Sequence, residues 1–241
     1  MPLAGRRILV TRPRELAQGL AALIAGAGGE PVLYPAIEIH DPENPAAARA
    51  RLARAAQFDL AVFVSPSAVR KAFVLHAAPW PARIAAVGEG TRRALEALGV
   101  RGVIAPAARA DSEALLALAE LQQVRGQRVL IVRGAGGREF LGQALAERGA
   151  QVEHAECYRR IRPQAAPPAG ELHGACVTSG EALENLVALA GRERLRALPV
   201  FVPHARIVQR ARELGLEAPV LAGPGDAEML RGMVAYFGGA K

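Results

Sequence analysis

Three turns of this chain, each leading from a strand pattern into a helical one, carry small residues able to grip an anion. They are Ser65-Pro66-Ser67, Thr178-Ser179-Gly180 and Gly88-Glu89-Gly90-Thr91. Ser and Thr at such turns accept bonds from the first free helical amides, and those amides also favour a carboxylate or phosphate. Capping alone accounts for them equally well. A fourth turn, Arg133-Gly134-Ala135-Gly136-Gly137-Arg138, has the setting of a dinucleotide loop. The third glycine of that fingerprint would fall at Glu139, so what remains is a glycine-rich helix N-terminus, or simply a tight turn. Tyr158 ends an apolar run that starts at Val152, beside Arg159, Arg160 and Arg162. A phenol there is either packing with a wet hydroxyl or a weak acid among cations. Tyr34, in the matching strand of the first half, has the same standing. His40, His76, His154, His173 and His204 are scattered, with no HExxH or CxxC spacing to hold a metal. No strong nucleophile or base emerges.

The elements that must position these residues alternate. Strand patterns fall at 7–11, 32–39, 60–65, 83–87, 102–105, 128–132, 152–158, 175–179, 199–202 and 219–222. Helical spacing lies between most of them, as in Leu115, Leu118 and Leu121 after the candidate cap Asp111. Gly29, Gly99, Gly149 and Gly215 stand where helices must turn back toward a strand. Such alternation predicts parallel sheets flanked by helices. In such sheets ligands bind at the carboxyl ends of the strands, where Arg12, Ser65, Gly88, Gly134, Ser179 and Pro203 all fall. Two rims of this kind facing each other would form a basic, amide-rich cleft.

The chain also repeats itself. Ile8-Leu9-Val10-Thr11-Arg12 recurs as Val129-Leu130-Ile131-Val132-Arg133, and Ala61-Val62-Phe63-Val64-Ser65 as Ala175-Cys176-Val177-Thr178-Ser179. Val87-Gly88 answers Val202-Pro203, and Asp111-Ser112-Glu113 answers Asp226-Ala227-Glu228. The offsets stay between 114 and 121, about half of the 241 residues, which predicts two similar domains. Prolines mark breaks near 40–45 and 162–170.

Composition narrows the function classes. No apolar run approaches the ~18 residues of a membrane span, and the start has no signal-like apolar stretch. Cys157 and Cys176 are too few for a disulfide framework, so a reduced, cytoplasmic setting is expected. Net charge is +7, and all basic residues except Lys71 and Lys241 are arginines. A GC-rich genome explains part of that bias; a preference for carboxylates or phosphates explains it too. Aromatics at 4% and dispersed arginines weaken the case for nucleic acid, so a small polyanion fits at least as well as DNA.

Taken in order, these segments resemble the uroporphyrinogen-III synthase family: Ile8 to Arg12 with Gly29 and Tyr34-Pro35, then Phe63-Val64-Ser65-Pro66-Ser67-Ala68-Val69 and Ala86-Val87-Gly88 with Thr91. Val132-Arg133-Gly134 with Gly137-Arg138-Glu139, Cys157-Tyr158-Arg159-Arg160, Thr178-Ser179 and Val202-Pro203-His204-Ala205-Arg206-Ile207 continue the likeness over nearly the whole chain. The resemblance implies an α/β fold of two similar parallel-sheet, flavodoxin- or Rossmann-like domains joined by a two-stranded linker. One domain would combine 1–36 with 163–241, the other would be 41–158, and the linker strands would lie at about 33–40 and 155–162.

The activity implied is closure of the linear tetrapyrrole hydroxymethylbilane to uroporphyrinogen III, with inversion of the last ring and loss of water. It passes through an azafulvene cation and a spiro intermediate, and needs no metal or organic cofactor. The expected protein is a cytoplasmic monomer that receives its substrate from the preceding deaminase, with no nucleic-acid or membrane partner. By the family pattern Tyr158 would be the acid that helps the hydroxyl depart, and Ser65, Thr91 and Ser179 would hold side-chain carboxylates. Arg206 stands where a threonine is usual. With the rim residues, the candidate substrate-binding set is Arg12, Ser65, Pro66, Ser67, Gly88, Thr91, Arg133, Gly134, Arg138, Ser179 and Arg206. The competing class is a two-domain protein that closes on an anionic metabolite without reaction; turnover of hydroxymethylbilane separates the two.

Overall fold

The computed structural model describes residues 1–77, 79–107, 111–137 and 139–239. Its elements run β1 (Arg7–Val10), α1 (Arg14–Gly26), β2 (Glu30–Leu33), β3 (Glu38–His40), α2 (Pro45–Leu52), β4 (Leu60–Phe63) and α3 (Pro66–Leu75). Then follow β5 (Ile84–Ala86), α4 (Glu89–Glu96), α5 (Ser112–Leu116), α6 (Ala119–Gln122), β6 (Arg128–Gly134), α7 (Phe140–Glu147) and β7 (Gln151–Ile161). The last part holds β8 (Gly174–Cys176), α8 (Gly180–Ala190), α9 (Arg192–Leu195), β9 (Val200–Val202), α10 (Ala205–Glu213), β10 (Pro219–Leu221) and α11 (Asp226–Gly238).

The chain divides into two compact units, Met1–Glu38 with Ile161–Lys241, and Ile39–Arg160. The first contains a sheet in the order β10-β9-β8-β1-β2, the second a sheet in the order β3-β7-β6-β4-β5. Pairing is parallel at Val10↔Leu33 and Val10↔Cys176 in one sheet and at Phe63↔Val132 in the other. Central strands read as short apolar runs because helices cover both faces. All four residues of Leu60-Ala61-Val62-Phe63 are buried.

The sequence repeats and the structural units do not coincide. In the first unit β1-α1-β2 lies beside β8, β9 and β10; in the second β6-α7-β7 lies beside β4, β5 and a bridge between Ala85 and Ile104. Each sheet therefore takes its βαβ piece from one repeat and the rest from the other. The spatial order is the same in both once this exchange is allowed for. The second unit is thus a circular permutation of the first.

Local signals in the sequence act as physics requires. Ser65, Ser179 and Asp111 cap their helices by accepting from the amides of Ala68, Ala182 and Ala114 at 3.0, 3.1 and 2.8 Å. Helix α1 turns at Gly28 (φ +88°) and not at Gly29, whose amide instead closes onto the Ile24 carbonyl at 3.0 Å. The strand expected over 32–39 is two strands in different sheets, β2 and β3, broken at Tyr34-Pro35-Ala36-Ile37. Proline has no amide to donate to a ladder, and the break lets the chain leave one sheet for the other. The strand expected over 102–105 is a single bridge at Ile104. The helical pattern after Asp111 forms two short helices, α5 and α6.

In the second unit Leu52, Phe58, Leu95 and the inner residues of α3 cover one sheet face, and α5, α6 and α7 the other. The connections leave β4 and β6 toward opposite edges, so their carboxyl ends border a topological switch point. In the first unit β1 and β8 stand in the same relation. Among the described residues no helix is long and apolar enough to cross a membrane.

Candidate functional site

At the switch point of the second unit the fold gathers Ser65, Gly134 and Tyr158. In β7 Ala155 is buried and Glu156 exposed, and then Cys157 and Tyr158 are buried in succession. The cause is a bulge. Arg133 pairs with Glu156 but Gly134 pairs with Tyr158, so Cys157 is the extra residue. A bulge re-aims the side chain after it, and here it turns the Tyr158 ring onto the face that α3 covers. Gly134 makes the room: a Cβ there would stand 2.6 Å from Cε2 and Cζ of Tyr158. The Ala135 amide donates to the Tyr158 carbonyl at 2.7 Å, tying the glycine-rich turn to the same residue.

The Tyr158 side chain is buried, yet its hydroxyl lies 3.0 Å from Ser65 Oγ, and either oxygen can donate. Ser65 is the N-cap of α3 and Pro66 its first helical residue. Ser67 and Thr91 are buried. A Cβ on Gly90 would lie 3.7 Å from Pro66 Cγ, so the N-termini of α3 and α4 sit side by side. They differ electrically. The first turn of α4 holds Glu89, whose carboxyl is lowered to about 2 by hydrogen bonds from Arg92 and Arg93; the first turn of α3 has no acidic residue. Gly88 caps α4 through its backbone alone.

Arg133 and Arg12 were expected as anion ligands, and carboxylates of their own unit engage both. The buried Arg133 guanidinium meets Glu139 at 2.7 Å and Glu156 at 3.6 Å, and donates to the Gly137 carbonyl at 3.3 Å. The hydrogen bond from Arg133 to Glu139 and the charge behind it hold the Glu139 carboxyl below its ordinary range. His154 stands 4.0 Å from Glu139; burial, then Arg133, lowers its pKa from the usual 6.5. Arg12 pairs with Asp226. Glu139, Glu156 and Asp226 were not among the expected site residues. Arg138 lies outside the described residues.

In the first unit Ser179 caps α8 beside the end of β8, and Thr11 Oγ1 donates to the Cys176 carbonyl at 2.8 Å. Arg206 is exposed in the first turn of α10, which has no acidic residue. Tyr34 is not the counterpart of Tyr158. Its hydroxyl donates to the Ala165 carbonyl at 3.0 Å, and burial raises its pKa against the nearby Arg194. Cys157 and Cys176 are buried thiols pushed up to about 12, which removes them as nucleophiles.

The family model described as uroporphyrinogen-III synthase HemD matches residues 18–230. The chain belongs to this family. It is 36% identical to the uroporphyrinogen-III synthase of Salmonella typhimurium, across 92% of this chain and 97% of the relative. It is 35% identical to that of Escherichia coli over the same shares. Among solved structures it resembles a mutant uroporphyrinogen III synthase from Thermus thermophilus, with TM-score 0.61, 21% identity and 95% of this chain and 97% of that one covered. The Helicobacter pylori uroporphyrinogen-III synthetase aligns with TM-score 0.63 at 13% identity over 96% of this chain and 99% of that one. These two likenesses carry the fold: two α/β domains with mainly parallel sheets.

Proposed function

We propose that this member of the uroporphyrinogen-III synthase family closes hydroxymethylbilane to uroporphyrinogen III, as a cyclising lyase, with Tyr158 as the acid. The observation that supports the residue assignment is the seating of the Tyr158 hydroxyl against Ser65, at the carboxyl ends of β4 and β6. The substrate carries a carbon already primed to lose hydroxyl, because the pyrrole stabilises the cation left behind. A potent acid is unnecessary; a positioned proton and a shaped surface suffice. That is consistent with a site built from a phenol, hydroxyls and helix amides.

The substrate's acetate and propionate groups supply the anions. We place them at the N-terminus of α3, with Ser67, Gly88 and Thr91 nearby, and at Ser179 and Arg206. Arg12 and Arg133 serve chiefly to hold their own rims, since Asp226, Glu139 and Glu156 already occupy them. Receipt of substrate from the deaminase that makes it, and action as a cytoplasmic monomer, belong to the same reading and rest on the family pattern. The test is turnover of hydroxymethylbilane with separation of the isomers. The expected product is type III; a protein that only binds anions leaves the bilane to close spontaneously to type I.

A further inference from the structure

Among the described residues the hydroxyl of Tyr158 meets Ser65, and that neighbour has a direction built into it. Ser65 Oγ accepts the Ala68 amide at 3.0 Å and lies 3.0 Å from the phenol oxygen. An accepted hydrogen bond polarises a hydroxyl toward donating its own proton. Ser65 also stands at the head of a ten-residue helix without an acid in its first turn, where the macrodipole favours negative charge on a neighbouring oxygen. The ring cannot turn away, because Gly134 lies under it and the bulge at Cys157 sets its direction.

We propose that Ser65 is a positioning residue for the acid, running the chain Ala68 amide to Ser65 hydroxyl to Tyr158 hydroxyl to substrate. The inference rests on the assignment of Tyr158 as the acid and adds the donor that orients it. If the phenol donated to Ser65 it would have no proton for the substrate. With Ser65 as donor, the phenol proton points outward. The substrate C–O bond then breaks with its electron pair on oxygen, the Tyr158 proton joins that oxygen, and water leaves. The azafulvene cation and a phenolate remain, so charge balances, and the phenolate keeps the hydrogen bond from Ser65.

Capping and donation can be separated by substitution. Aspartate caps a helix as well as serine does but has no proton to give at neutral pH, whereas threonine retains both roles. The experiment is steady-state turnover of hydroxymethylbilane by Ser65→Ala, Ser65→Asp, Ser65→Thr, Tyr158→Phe and the double variant Ser65→Ala/Tyr158→Phe, with thermal unfolding to confirm folding. Ser65→Ala is expected to lower kcat about tenfold with KM changed less than about twofold, Ser65→Asp to lower kcat at least as much while its added charge at the head of α3 raises KM, and Ser65→Thr to stay within about threefold of the native kcat. The double variant is expected to be no slower than Tyr158→Phe, because a residue acting through another has nothing left to act on.

Native turnover by Ser65→Asp reduces Ser65 to a cap and overturns the inference. So does a Ser65→Ala loss that persists in the Tyr158→Phe background or appears in KM, which would make Ser65 a direct carboxylate ligand. Tyr158→Phe at the native rate removes the acid itself and the inference with it. That outcome is distinct from a slow Tyr158→Phe with additive Ser65→Ala.

Discussion

Replacing Gly134 with alanine places a methyl group where the Tyr158 ring now lies. The added Cβ would stand 2.6 Å from Cε2 and Cζ and 3.1 Å from Cδ2. Carbon atoms rest at about 3.5–4.0 Å, so the ring must retreat by roughly 1 Å. Gly134 does not have a positive φ, so the backbone itself tolerates alanine. Overpacking of this kind costs about 1–3 kcal/mol. Breaking the Ser65–Tyr158 hydrogen bond adds about 0.5–1.5 kcal/mol. Alanine recovers about 0.5–1 kcal/mol that glycine loses in a strand, leaving a net cost of about 2 kcal/mol. For a chain of this size that is a fall of about 4–8 °C in Tm. The assay pairs thermal unfolding with turnover, and kcat is expected to drop toward the Tyr158→Phe value. In a Tyr158→Ala background the same glycine change meets no ring and should cost nothing or stabilise slightly. Native Tm and rate in Gly134→Ala, or an equal cost in both backgrounds, would refute the steric reasoning.

Tyr158→Phe should lower kcat about 10²-fold while the residual product stays mainly type III, by isomer chromatography, since shape and not the acid selects the ring orientation. Tyr34→Phe should keep the rate within about twofold and lose only the bond to the Ala165 carbonyl, about 0.5–1.5 kcal/mol by denaturant unfolding. His154 has a folded pKa below its unfolded value, so the unfolded chain binds the extra proton. Its stabilising contribution is whole above about pH 6.5 and is lost as pH falls through the lowered value. Urea titrations of His154→Gln between neutral and mildly acid pH should therefore show a flatter stability profile than the native chain. Asp226→Ala leaves the mostly buried Arg12 guanidinium unpaired and should cost about 1–2 kcal/mol, between the exposed and buried limits for ion pairs. Arg12→Met/Asp226→Ala should recover part of that loss.

Some of this protein was written locally. Ile8-Leu9-Val10, Leu60 to Phe63 and Ala175-Cys176 are apolar runs that only a two-faced parallel sheet can bury, so α/β architecture was legible from pattern alone. Ser65, Asp111 and Ser179 were legible as caps because a cap satisfies amides within three residues of itself. The duplication was legible as well, since it is a relation between two stretches of letters.

Other features needed chain brought together from far away. Which repeat supplies which sheet depends on Val10 pairing with Cys176 and Phe63 with Val132, choices no local propensity encodes. Tyr34 and Tyr158 looked alike because they stand in matching strands of the two halves. Only the tertiary structure separates them, by giving one the Ala165 carbonyl and the other the Ser65 hydroxyl. Arg12 and Arg133 looked like free cations until folding brought Asp226, Glu139 and Glu156 against them. Periodicity speaks for the face a residue shows, and caps for the nearest amides. The partner of a buried hydroxyl or guanidinium is set by packing across 93 residues for Tyr158 and 214 for Arg12, where only the closed core decides.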